Sequence, residues 1–112
     1  MLTTVVELAE FIRQAKAVMT EAERKELIDH LAANPEAGVP LGGGLRKVRF
    51  AREGGGKSGG FRSVHYYQAG RELPVCLMSV FAKNDKANLT RTEEAAMAAV
   101  AERIVAAYRS KT

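Results

Sequence analysis

Apolar residues recur in helical phase over the first third of the chain. They fall at Leu8, Phe11, Ile12, Ala15, Val18 and Met19, then at Leu27, Ile28 and Leu31. The pair Val5-Val6 ahead of them predicts a short opening strand. Thr20 and Glu23 have the spacing of a capping box, in which the hydroxyl accepts from a free N–H and the carboxylate reaches back. The second helix is expected to end before Asn34-Pro35, because proline disfavours helical geometry in the residue ahead of it. Residues 34–44, with two prolines and four glycines, are expected to form a loop.

The period then changes from helical to alternating. Val48 and Phe50 alternate with Lys47 and Arg49, which predicts a half-buried strand. Gly54 to Gly60 reads as a hairpin connection, and residues 61–68 are rich in β-formers. After a turn over Gln68 to Glu72, Leu73 to Phe81 is apolar enough for a central strand, with Pro74 tolerated near its start. Lys83 to Leu89 reads as a polar loop. Thr90 and Glu93 repeat the capping-box spacing, and Met97, Val100, Ile104 and Ala107 give a last helix its apolar stripe. The expected order is a short strand, two helices, three antiparallel strands and a helix, an α+β domain over residues 1–112.

Length and composition narrow the function classes. A chain of 112 residues suits one domain with one modest core. No apolar run approaches the roughly 20 residues that cross a bilayer, so no membrane association is expected. MLTTVVELAE has no basic n-region and carries acids early, so no signal peptide is expected. Cys76 is the sole cysteine, which excludes an intrachain disulfide and an all-cysteine zinc site. The expected location is the cytoplasm.

Charge is distributed unevenly. Residues 1–43 carry four cations and seven acids, whereas residues 44–91 carry ten cations and three acids. Within 44–67, Arg46, Lys47, Arg49, Arg52, Lys57 and Arg62 stand against the single acid Glu53, around a loop with five glycines. Such a concentration suits a polyanionic partner, although a solvated basic face has the same composition.

Ala51 to Ser58, AREGGGKS, matches a loose phosphate-binding P-loop with Ala for the first Gly. A true P-loop opens a helix whose N–H groups complete the phosphate cradle. Here a β-run follows, so the P-loop reading is set aside. His30 and His65 lack metal-ligand spacing, and no metal or cofactor is expected. His30 suits the C-terminal turn of its helix. His65 is a candidate general base near neutral pH, and equally an ordinary half-buried strand residue. Phe61, Tyr66 and Tyr67 are candidates for stacking on bases, with core packing the plainer role.

The stretches Gly44-Leu45-Arg46-Lys47-Val48-Arg49, Gly56-Lys57-Ser58-Gly59-Gly60-Phe61-Arg62, Tyr66-Tyr67 and Phe81 to Thr90 (FAKNDKANLT) resemble the RelE/HigB toxins of bacterial type II toxin–antitoxin modules. The match is closest to the HigB-like branch and covers residues 44–90. The resemblance implies a RelE/ParE-like fold, a small antiparallel sheet with two N-terminal helices and a C-terminal helix. It implies a ribosome-dependent endoribonuclease that cuts mRNA without a metal, by attack of the ribose 2′-hydroxyl on the adjacent phosphate. It also implies a cognate antitoxin, often a helix-turn-helix protein.

The residue chemistry agrees with that implication. The reaction needs a base, cations for charge developing on phosphorus, and an acid for the leaving 5′-oxygen. Arg62 suits transition-state stabilisation through its planar fork. Lysines crowded by cations have their charged form disfavoured, which suits Lys57 and Lys83 to proton transfer, with His65 beside them. Arg46, Lys47, Arg49 and Lys86 are candidate RNA-backbone grips. Two departures stand out. Phe81 replaces a tyrosine common in relatives, and Gly54, Gly55 and Ser58 occupy positions where relatives often carry cations. Activity is therefore expected to be weaker, or to depend more on His65 and Lys86. Two rival readings share the fold, a ParE-like gyrase inhibitor and an RNA-binding module without chemistry. Lys57, Arg62 and Lys83 favour the nuclease.

Overall fold

A computed structural model describes residues 2–51, 60–70, 72–83 and 88–110. The chain begins with β1 (Val5–Glu7), α1 (Ala9–Val18) and α2 (Glu21–Ala33). It continues with β2 (Val39–Gly42), β3 (Leu45–Phe50), β4 (Phe61–Tyr66), β5 (Val75–Ala82) and α3 (Arg91–Ser110). The five strands form one mixed sheet in the order β1-β5-β4-β3-β2. β1 runs parallel to β5, and the other neighbours are antiparallel. The expected α+β class therefore holds.

The local signals behind these elements are visible. Thr20 Oγ1 accepts from Glu23 N at 3.0 Å while Glu23 Oε1 accepts from Thr20 N at 2.8 Å. The same reciprocal pair forms at Thr90 and Glu93 and starts α3. Each box satisfies donors that a helix start leaves free. Arg24 reaches from α2 to Glu7 at 2.6 Å and fixes the helix against β1.

Residues 34–44 are not all loop, because Val39–Gly42 pairs with β3 as the edge strand β2. Pro40 and the glycines suppress the strand signature. An edge strand is hydrogen-bonded on one side only and tolerates a proline.

The sheet separates two apolar layers. On one face Phe11 and Ala15 of α1 and Leu27 and Leu31 of α2 meet Val48, Phe61, Val75, Leu77 and Val80. On the other, Ala101 and Val105 of α3 meet Leu45, Val64, Tyr66, Cys76, Met78 and Phe81. The expected α3 stripe is partly displaced: Met97, Val100 and Ile104 are half-buried, whereas Ala107 is exposed. A register shift opposite Val64 and His65 leaves Met78 without a partner on β4. Such a bulge resets the alternation of the strand. As a result Val80 belongs to the α1/α2 layer and Phe81 to the α3 layer.

Candidate nucleic-acid interface

Side chains alternate across a strand, so the strand registers sort the basic residues by face. Leu45, Val64 and Tyr66 lie in the layer under α3. Lys47, Arg49 and Arg62 are in phase with them and share that face. Arg46 and His65 are in phase with Val48 and Phe61 and belong to the opposite face. The eight candidates from the sequence are therefore not one cluster. Lys57 and Lys86 lie outside the described residues.

Arg62 sits at the centre of the first group. On β4 it faces Arg49 of β3 on one side and Phe81 of β5 on the other. It is only 9% exposed, whereas Arg49 is exposed. Like charges directly opposite in a sheet are destabilising, by up to about 1 kcal/mol. Arg13, Arg24 and Lys25 are paired with acids near the N-terminal helices, whereas among the described residues no ion pair involves Arg49, Arg62 or Lys83. A phosphate between the two guanidinium groups would remove their repulsion and accept charge-assisted hydrogen bonds.

Lys83, exposed and just past β5, is brought to the same end of the sheet. Its backbone N–H donates to Gly60 O at 3.2 Å, which places it beside the start of β4. Gly60 has φ +96°, and a Cβ there would lie 2.9 Å from Phe50 O. A Gly60→Ala substitution is therefore expected to destabilise the protein by about 1–3 kcal/mol, through backbone strain and this clash. Chemical denaturation measures it, and an effect below a few tenths of a kcal/mol would contradict it.

Lys47, a candidate RNA grip, makes a contact within the chain. Its Nζ donates to Asn88 Oδ1 at 2.8 Å, in the segment that leads into α3. Arg46 donates from Nε to Ala37 O at 3.3 Å and reaches Gly38 O at 3.4 Å, which fastens the α2–β2 connection.

His65 fastens the same connection from inside. Its ring is fully buried, and Nε2 lies 2.8 Å from Pro35 O. A carbonyl can only accept, so Nε2 carries the proton. Burial pushes the pKa of His65 below the usual histidine value, and Arg46 and His30 act in the same direction against the Pro35 hydrogen bond. This neutral ring is shut off from the Arg49–Arg62 face by the sheet itself. Its lowered pKa makes stability pH-dependent. Stability is full above the ordinary histidine pKa of about 6.5. It falls as pH drops from there through the lowered value, because the unfolded chain takes the proton first. Melting curves from pH 7.5 to 5 should show this loss, and His65→Gln should remove its share of the slope.

Other residues resolve simply. Tyr66 and Phe61 are core residues, and Tyr67 is half-buried against the α1/α2 layer, so packing takes the aromatics proposed for stacking. His30 lies in the last turn of α2, its ring 6.3 Å from that of Phe50. A strand, not a helix, follows the AREGGGKS motif, as setting aside a P-loop requires. Sequence reasoning assigned no role to Asn88 or Gln14. Gln14 Oε1 accepts from Ser79 Oγ and Val80 N, both at 2.9 Å, where β5 runs past the end of β1. No periodic signal marks either residue.

A groove of about 310 Å³ lies between α1, β5 and α3, with Met78, Phe81, Leu89 and Met97 in its walls. Glu10 and Glu93 are its charged lining, and among the described residues no cation lines it. That is the wrong electrostatics for phosphate, so the candidate interface is the cationic face and not this groove. Among the described residues, no helix is long and apolar enough to cross a membrane.

A model of one protein family, described as the RelE toxin of the RelE / RelB toxin-antitoxin system, matches residues 4–112. That span includes every strand of the sheet, all three helices and the facing Arg49–Arg62 pair. The chain belongs to the RelE toxin family, the toxin half of a toxin–antitoxin pair.

Proposed function

We propose that this toxin is a ribosome-dependent mRNA endoribonuclease of the HigB-like branch, acting in the cytoplasm where translating ribosomes present its substrate. The observation that supports the reading best is the facing Arg49–Arg62 pair, with Lys83 at the same end of the sheet and no carboxylate on any of the three among the described residues. Cations held apart from acids are suited to a phosphodiester.

In this reading the scissile phosphate lies over Arg62. The 2′-hydroxyl oxygen attacks the adjacent phosphorus and the bond to the 5′-oxygen breaks, leaving a 2′,3′-cyclic phosphate and a 5′-hydroxyl. Arg62 takes the charge that develops on the phosphoryl oxygens, and Arg49 holds the neighbouring backbone. Lys83, with Lys57 in the connection between β3 and β4, moves the protons: one group accepts from the 2′-hydroxyl, the other donates to the leaving oxygen. His65 carries no step, because its ring is buried on the other face. The antitoxin, a helix-turn-helix protein with an acidic segment, silences the toxin by covering the basic face.

Purified toxin should cut mRNA on programmed ribosomes in phase with codons and leave 5′-hydroxyl ends, mapped by primer extension. Intact mRNA under conditions where the toxin binds the ribosome would overturn the reading.

A further inference from the structure

We infer that Asn88 is a positioning residue of the cleavage site, and that Lys47 serves it as a clamp instead of gripping RNA. The inference rests on the ribonuclease reading above. Lys47 stands on β3 opposite Val64, one step along the same face from the Arg49–Arg62 pair. Its ammonium group donates to Asn88 Oδ1 at 2.8 Å, across 41 residues of sequence. Leu89 next to it packs against the α3 layer, and Thr90 caps α3. Lys83 and Asn88 are thus each tied to the sheet, by Lys83 N on Gly60 O and by Asn88 on Lys47. In this inference the two ties together set where Lys83 stands relative to Arg62, and a misplacement of about 1 Å in a proton-transfer group costs on the order of 10²-fold in rate.

The Lys47–Asn88 hydrogen bond is exposed and has one charged partner, but it joins two points 41 residues apart, which a phosphate grip does not. The two roles for Lys47 give different kinetics. A phosphate grip lost in Lys47→Ala weakens binding of the toxin to programmed ribosomes and lowers its salt dependence. A clamp lost in Lys47→Ala lowers the cleavage rate at saturation and leaves binding in place.

The test is single-turnover cleavage on programmed ribosomes, with toxin–ribosome affinity and melting temperature measured on the same samples. Lys47→Ala and Asn88→Ala should each slow cleavage about 10- to 100-fold at saturation. Affinity should change less than threefold, the double variant should be no slower than the single ones, and Asn88→Asp, which retains the acceptor oxygen, should recover most of the rate. Additive losses, a loss confined to affinity, or Asn88→Ala cleaving at the wild-type rate would each overturn the clamp while leaving the nuclease reading intact. Wild-type toxin that binds ribosomes without cutting would overturn both.

Discussion

Arg62→Ala is expected to slow mRNA cleavage by about 10²- to 10³-fold, or roughly 3–4 kcal/mol of transition-state stabilisation, the cost of losing one preorganised oxyanion donor. The side chain stands on the central strand next to β5, so the backbone that carries it is bonded on both sides and reorganises little during the reaction. It is nearly buried, which strengthens its interaction with charge that develops beside it. Arg62→Lys keeps the charge and loses the planar fork, and should recover only part of the rate. Folding should not suffer. Removing Arg62 relieves the repulsion with Arg49 and offsets the lost packing of its nearly buried stem, so the melting temperature of Arg62→Ala should stay within a few degrees of the wild type. Single-turnover cleavage and thermal melts of the three proteins check both statements. A rate within threefold of wild type would show that this arginine is not the phosphoryl stabiliser.

Phe61→Ala is expected to destabilise the protein by about 3–5 kcal/mol. The ring has no exposed surface, and its centroid lies 5.4 Å from that of Phe50 on the neighbouring strand. It belongs to the layer that holds Phe11, Leu27 and Leu31 against the sheet, so truncation leaves a cavity where both N-terminal helices meet it. Domains of this size are stable by only about 5–15 kcal/mol in total. The melting temperature should therefore fall by roughly 10–20 °C, at about 4 °C per kcal/mol. Phe50→Ala, at a half-buried position, should cost less. Calorimetry decides the matter, and a loss under 1 kcal/mol would contradict the packing described. Because Phe61 adjoins Arg62, cleavage by the variant should also weaken well below its melting point.

Much of the architecture was legible from local pattern. Both capping boxes fell at Thr20 and Thr90 because four residues suffice to specify them. The β-run that replaces a helix after the glycine loop was legible for the same reason, since alternation is a property of neighbouring residues. Edge strand β2 was not, because its pairing with β3 is supplied by the partner and not by any alternation within VPLG. The strand flanking β5, predicted from Val5 and Val6, is present, but nothing local indicates that it pairs in parallel with a strand some seventy residues away.

The candidate site divides in the same way. Three things are readable from the chain alone: the cations gathered in residues 44–91, the run of β-formers behind them, and the motifs shared with a toxin family whose model matches residues 4–112. Which cations lie together depends on the fold. Arg49 and Arg62 meet through strand register, Lys83 joins them through Gly60, and Lys47 is taken up by Asn88. Arg46 and His65 look equivalent to these in sequence, yet one step along a pleat puts them on the far face, holding Ala37 and Pro35. The physical reason is that composition accumulates along the chain, whereas facing and contact depend on register, on the bulge at Met78 and on bonds that span 30 to 41 residues.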